Sequence, residues 1–313
     1  MKNIRVLVTG GAGFIGANLV RMMLDLDYKV SVLDNFSTGR AEYLEGLSVD
    51  IVEGDILDRD LLAEVVRSHH GIIHLAAQTG VPGSLIDPYK DCEVNVVGTL
   101  NILEACRETK GNSDTKGSQK IVFASSNAPL GRQNPPASED KAPLPVSPYG
   151  ASKLAAEAYC LAYYGSWGLN TIVLRFGNVY GPFSEHKGSV VSEFFRAICT
   201  NNDVTIHGDG KQTRDFVYVA DLCRAVILAL DCDLGGEVYQ IATGVETSIA
   251  RLCKMVQDVS GRDTQINKAP TRPGDVRKNY SLITKARETL KWEPEVDLDL
   301  GLRKTWQWFE NIT

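Results

Sequence analysis

Short apolar runs recur along the chain and alternate with longer stretches in which apolar positions return every three or four residues. The first run, Val6 to Thr9, is followed by an amphipathic stretch through about Leu26. Lys29 to Asp34, Val49 to Asp55 and Gly71 to Ala77 repeat the strand pattern, with a helical period from about Asp58 to Arg67 between the last two. Spacing near two marks a strand and spacing near 3.6 marks a helix. Their alternation predicts crossover units and a parallel sheet covered by helices. A helical period from Asp87 to Arg107, the strand Lys120 to Ser126, a helix beginning at Tyr149 and a strand starting at Thr171 extend the series. Beyond Asn178 the pattern changes to helix, short strand, loop and helix. Phe216 to Leu222 and the apolar stretch through Leu230 look like a return to the first unit. Val238 to Ala242, a helix from about Ser248 to Gly261 and two C-terminal helices complete the second.

The expectation is therefore an α/β protein, with a doubly wound parallel sheet over residues 1–177, joined again by 215–231, and a smaller C-terminal α/β lobe over 178–313. Two finer expectations come from polarity. His69 and His70 fall in a polar connection and are expected in solvent, whereas His74 lies inside a strand and is expected in the core. The Gly, Ser, Lys and Asp run from Thr109 to Gln119 has almost nothing to bury and reads as a mobile surface loop.

Composition narrows the function classes. With 43% hydrophobic and 23% charged residues the chain is ordinary for a globular enzyme. A net charge of −6 leaves no basic footprint for nucleic acid. The seven cysteines are scattered, without a Cys-x-x-Cys pair or clustered histidines, so reduced thiols are expected and no metal site. No apolar run approaches membrane-spanning length. The start, Met-Lys-Asn-Ile-Arg, runs directly into a strand and lacks the apolar core of a signal peptide, so a cytoplasmic location is expected.

The chemistry begins at Gly10-Gly-Ala-Gly13-Phe-Ile-Gly16, between the first strand and the first helix. Glycines there let the backbone turn tightly and approach a pyrophosphate, and the helix N-terminus adds amide donors and a favourable dipole. The second strand ends in Asp34, 18 residues past Gly16. An acid at that point accepts hydrogen bonds from an adenosine ribose and repels a 2′-phosphate. The pattern is that of a Rossmann unit that takes NAD rather than NADP.

A second group lies downstream. Tyr149 and Lys153 are four apart on one helical face, so the ammonium can approach the phenol. A nearby cation favours the phenolate and makes tyrosine a usable base. Taken alone, that spacing arises by chance in many helices and is more often a packed, solvated surface pair. Ser125 and Ser126 end a strand where open α/β sheets bind ligands. Ser126 is either a substrate-facing hydroxyl or a strand-end cap, and Asp55 either faces an adenine or terminates its strand in a turn.

With the glycine loop, Asp34-Asn35, Ser125-Ser126 and Tyr149/Lys153 in this order, the sequence resembles the extended short-chain dehydrogenase/reductase superfamily over essentially its whole length. Within it the chain is similar to the nucleotide-sugar epimerases, those of the UDP-glucose 4-epimerase type in particular. That resemblance implies NAD lying on Gly10, Gly13, Phe14, Ile15 and Gly16. Asp34, Asn35, Ser37, Thr38 and Gly39 would surround the adenosine, Asp55 and Ile56 the adenine, with Ala76 and Asn95 nearby. Lys153 would hold the nicotinamide ribose and tune Tyr149. Asn178, Arg214 and Arg272 match positions that bind the nucleotide diphosphate, a role suited to guanidinium forks. His207 falls where the family often places an aromatic against uracil, and Asn279 occupies the position of its hexose gatekeeper. The implied reaction is epimerisation of a UDP-hexose at C4 through a 4-keto intermediate, catalysed by Tyr149, Ser126 and Lys153 in a homodimer built on the Asp87 to Arg107 and Tyr149 to Tyr164 helices.

Departures from the family pattern sort the relatives. The 4,6-dehydratases carry an Asp-Glu pair just after the serine or threonine, and the decarboxylases carry a glutamate. Here Asn127-Ala128 supplies neither acid, which disfavours both activities. Pro82 stands where uronate enzymes often have arginine, and no arginine follows Pro182, although Lys187 or His186 could replace such a cation. A uronate 4-epimerase or another nucleotide-sugar epimerase is the alternative reading. Asn279 is smaller than the tyrosine that excludes N-acetyl groups, so tolerance of N-acetylhexosamines is expected.

Overall fold

A computed structural model describes residues 4–109, 119–271 and 276–312. Its main sheet has seven parallel strands: β1 (Arg5–Thr9), β2 (Lys29–Asp34), β3 (Asp50–Glu53), β4 (Gly71–His74), β5 (Lys120–Ser126), β6 (Asn170–Phe176) and, at one edge, Glu237–Ile241. The order across the sheet is that edge strand, then β6, β5, β4, β1, β2 and β3. Strand order reverses between β1 and β4, and at such a switch point the chain leaves adjacent strand ends in opposite directions and opens a ligand crevice. Pattern alone places this edge strand in the second lobe. It pairs with β6 from Ile172 to Phe176, so the main sheet draws on chain beyond residue 231.

Alternation along each strand builds two cores. On β1, Val6 and Val8 pack with α1 (Phe14–Asp25) on one face, whereas Leu7 packs with α2 (Arg59–Val66) on the other. Covering both faces explains why the strands are nearly continuous apolar runs. The smaller lobe contributes short pairs, among them β7 (Asn178–Tyr180) beside 216–218 and 204–207 beside 266–269. No helix among the described residues is long and apolar enough to cross a membrane.

One element differs from its sequence pattern in a way that matters for the site, and the helix that carries the paired residues does not. The expected helix from Asp87 to Arg107 is α3 (Pro88–Cys92), a π-turn over Glu93–Val97, and α4 (Gly98–Thr109). Side-chain period does not reveal one extra residue in a turn, and such bulges cluster at functional sites. The helix carrying Tyr149 and Lys153 is α5 (Pro148–Trp167), capped by Ser147 accepting from Gly150 N at 3.1 Å, with Pro148 in its first turn and Gly168 left-handed at its end.

His74 is in the core as expected, but His69 is only 4% exposed. Its ring bonds Val65 O, one turn back on the preceding helix, at 2.8 Å and Ser31 Oγ, 38 residues away, at 2.9 Å, and these two partners make a polar residue buriable. The ends of the Thr109 to Gln119 run are buried too and bond each other at 2.8 Å. Residues 110–118 lie outside the described residues.

Candidate active site

At the carboxyl ends of β1, β2, β4 and β5 lies a cleft of ≈ 920 Å³, near the upper end of ordinary ligand pockets. Its floor is the glycine loop. Gly10 has φ +71°, and a Cβ there would lie 2.7 Å from Ala76 N. A Cβ on Gly16 would lie 2.3 Å from Gly10 O. The loop therefore packs closely on both sides, and its outer surface is bare backbone leading into α1. Asp34 accepts from Ala12 N and Phe36 N at 2.9 Å each. Burial raises its pKa, against the lowering effect of those two amides. A Cβ on Gly39 would stand 2.9 Å from Asp34 Oδ1, so glycine keeps that carboxylate open to the cleft. Bare loop, helix start and open acid fit a dinucleotide with a free ribose hydroxyl pair.

The neighbouring positions follow. Asp55 takes the turn role, Oδ1 accepting from Leu57 N, while Oδ2 accepts from Asn35 Nδ2 at 2.8 Å. Asn35, Ser37, Thr38, Asp55, Ile56 and Ala76 all line the cleft. Asn95 does not. It is 1% exposed and wholly engaged: Oδ1 accepts from Gln78 N at 2.9 Å, and Nδ2 donates to Gln78 O, Asp91 Oδ1 and Ser152 Oγ. Lying within the π-turn, it ties the loop after β4 to α5. It positions the site rather than touching a ligand in the cleft.

Ser126, Tyr149 and Lys153 share one wall of the cleft. Strand alternation separates the two serines. Ser125 Oγ donates to Glu157 at 2.5 Å on the buried side, and Ser126 faces Tyr149, to which it is hydrogen-bonded. Ser126 also caps the strand end, accepting from Ala128 N at 3.1 Å. Lys153, 3% exposed, donates to Ala124 O at 3.0 Å and lies 4.9 Å from the Phe123 ring centre. Burial pulls its pKa down to about 8. Tyr149 is pushed up to about 12 by burial, with the Ser126 hydrogen bond acting the other way and Asp91 adding to the rise. The Lys153 ammonium is turned to the Ala124 carbonyl.

Asn178, Arg214 and Asn279 line the far end of the cleft. Arg214 donates to the carbonyls of Thr213 and Val276 at 2.7 Å each, which fixes its guanidinium. His207 stands apart, beside Glu193, Arg196 and Asp203 in a separate depression, with Nδ1 3.2 Å from Pro270 O. Strand pairing of 204–207 with 266–269 sets that outward direction. Arg272 lies outside the described residues.

Sequence reasoning missed two buried acids. Asp91, 2% exposed, sits behind Tyr149 and Lys153, where its charge acts on both. Asp215 accepts from Thr243 N and Oγ1, Gly244 N and Ser281 N, bracing the chain next to Arg214. Adjacency to Arg214 was a usable signal for Asp215. Nothing in the local pattern marked Asp91.

Comparison with known proteins agrees with this geometry. Residues 6–242 match the model of the NAD dependent epimerase/dehydratase family. A putative UDP-glucose 4-epimerase of Methanocaldococcus jannaschii is 39% identical over 98% of both chains. The crystal structure of Thermus thermophilus UDP-glucose 4-epimerase with NAD superposes with TM-score 0.91, at 35% identity, covering 99% of this chain and 100% of that one. A UDP-N-acetylglucosamine 4-epimerase from Methanobrevibacter ruminantium gives TM-score 0.92 at 34% identity, covering 100% of both. With its seven-stranded doubly wound sheet, its glycine loop and its full-length likeness to these enzymes, the chain belongs to the NAD-dependent epimerase/dehydratase family.

Proposed function

We propose that this protein interconverts UDP-glucose and UDP-galactose by epimerisation at C4 and also accepts UDP-N-acetylhexosamines. The observation that carries this reading is the meeting of Ser126, Tyr149 and Lys153 on one wall of the cleft whose floor is the NAD-binding loop. Tyr149 takes the proton from the sugar 4-hydroxyl and later returns it, with the Ser126 hydroxyl as its hydrogen-bonded relay. NAD, when bound, would supply the reversible hydride acceptor for the same carbon. Gly10, Gly13 and the amides of Phe14 and Ile15 hold the cofactor's pyrophosphate, Asp34 its adenosine ribose, and Lys153 its nicotinamide ribose. Asn178 and Arg214 anchor the nucleotide diphosphate while the keto sugar turns.

Two features support epimerisation over related reactions. The acids that line the described cleft are Asp34 and Asp55, both at the adenosine end. No carboxyl group therefore stands beside Tyr149 in the cleft to move a second proton, as 4,6-dehydration requires. Lys187, the cation the sequence offers for a uronate, lies 5.0 Å from the Phe14 ring centre on the cofactor side. Asn279 lines the cleft and is small enough to leave room for an N-acetyl group.

The test is incubation of the purified protein, without added cofactor, with UDP-glucose, UDP-N-acetylglucosamine and UDP-glucuronate separately, with products resolved by proton NMR. Turnover of the first two is expected. Turnover of UDP-glucuronate alone would replace this reading with the uronate one.

The same reading carries an assembly. We infer a homodimer through α3 to α5, supported by exposed Ile86 (85%), Tyr89 (88%), Tyr159, Tyr164 and Trp167 on that side. Light scattering should return twice the 34.2 kDa chain mass, and a monomer at micromolar concentration would refute it.

A further inference from the structure

Residues 181–189 leave β7 and run to the adenosine side of the cleft. There Glu185 meets two residues that follow the Asp34 turn: it pairs with Arg40 Nη1 at 3.0 Å and accepts the hydroxyl of Tyr43. The Tyr43 ring packs edge-on against Phe183, with centres 5.0 Å apart. The start of the same segment is fastened to α1. Asn18 Nδ2 donates to Pro182 O at 3.0 Å, and the Arg21 guanidinium lies 4.5 Å from the Phe183 ring centre. A segment of the smaller lobe is thus tied to both elements that hold the dinucleotide.

Lys187 enters the cleft from this segment. Its ammonium lies 5.0 Å from the ring centre of Phe14, the first residue of α1, and makes a long 3.4 Å hydrogen bond to Val179 O. Among the described residues no carboxylate pairs with it, and burial pulls its pKa down to about 8. Lys187 is half-buried, and drawing an ammonium even partly out of water for a ring face and one distant carbonyl is unfavourable unless an anion joins it. The glycine loop beneath offers only neutral amides, and Asp34 adds a negative charge.

We propose that residues 181–189 form a strap across the dinucleotide cleft, latched by Glu185 to Arg40 and Tyr43, which sets Lys187 against the cofactor's pyrophosphate. The cofactor is then held from both lobes, and its release requires the strap to lift. This rests on occupation of the cleft by NAD and is independent of which sugar the enzyme turns over.

The holoprotein is loaded with radiolabelled NAD and chased with unlabelled NAD. Lys187→Met should release the label at least tenfold faster than wild type, Lys187→Arg should restore slow release, and Glu185→Gln should accelerate release through loss of the latch. Calorimetry with ADP and adenosine isolates the phosphate contact: Lys187→Met should weaken ADP binding at least fivefold and leave adenosine unchanged. Melting temperatures identify any variant that has merely unfolded, and for such a variant the Lys187→Arg and Glu185→Gln release rates decide. Wild-type release rates in the folded variants, or equal losses for ADP and adenosine, would overturn the proposal. Epimerase activity enters none of these measurements, so failure of the sugar assignment is read separately.

Discussion

Lys153 donates to the carbonyl of Ala124 at 3.0 Å, two residues before Ser126 on the same strand, and the phenol of Tyr149 is left to Ser126. Behind the pair, the buried Asp91 carboxylate favours the charged form of Lys153 and disfavours ionisation of Tyr149. Asp91→Asn removes that charge. The Lys153 pKa, about 8 in the intact protein, should then fall further. If Lys153 must be cationic, the alkaline limb of kcat/KM, which reports the free enzyme, should sit near pH 8 and shift to lower pH in the variant. An unmoved limb would show that Asp91 does not act on the reaction through Lys153.

Tyr149→Phe deletes only the hydroxyl. As the proposed proton acceptor, that group should contribute about 10²–10⁴-fold in kcat. The ring stays in place and the glycine loop is untouched, so co-purified NAD and the melting temperature should remain as in wild type. A variant within tenfold of wild-type turnover would remove the tyrosine from the mechanism.

The adjacent serines should separate cleanly. Ser126→Ala takes a hydrogen-bond partner from Tyr149 and should lower kcat at least tenfold with little change in unfolding free energy. Ser125→Ala takes a donor from the Glu157 carboxylate, which keeps its bonds to Arg175 Nε and Nη2. Its cost should appear in stability, about 1–3 kcal/mol by urea unfolding, with kcat held. Equal effects of the two on kcat would contradict the alternation of the strand.

These contrasts mark what the sequence could disclose. Strands and the glycine loop were legible because they depend on local period and on backbone that only glycine permits. Tyr149 and Lys153 were legible as neighbours, since i and i+4 share a face. The direction of the ammonium was not, because a carbonyl 29 residues upstream sets it. Asn95 was visible as a polar residue among apolar ones, but the π-turn in which it lies leaves no periodic trace. Tyr43 and Glu185 meet across 142 residues, and no local pattern announces such a contact.

His74 offers a test of the core beneath the site. It lies between Thr9 Oγ1 at 2.8 Å and Thr99 Oγ1 at 3.1 Å, and burial, aided by the Lys153 charge, pulls its pKa to about 3. An unfolded chain protonates this ring below about 6.5, whereas the native protein keeps it neutral until about pH 3. Between those values the unfolded state binds one more proton, so stability falls as pH falls, by about 1.4 kcal/mol per unit for this group. His74→Gln retains hydrogen-bonding capacity and does not titrate. Urea unfolding between about pH 4 and 6 should therefore show a shallower decline in the variant, by about that amount per unit, whatever its absolute stability. Parallel declines would mean that the native protein carries this histidine charged, and that the Thr9 and Thr99 hydroxyls do not hold a neutral ring.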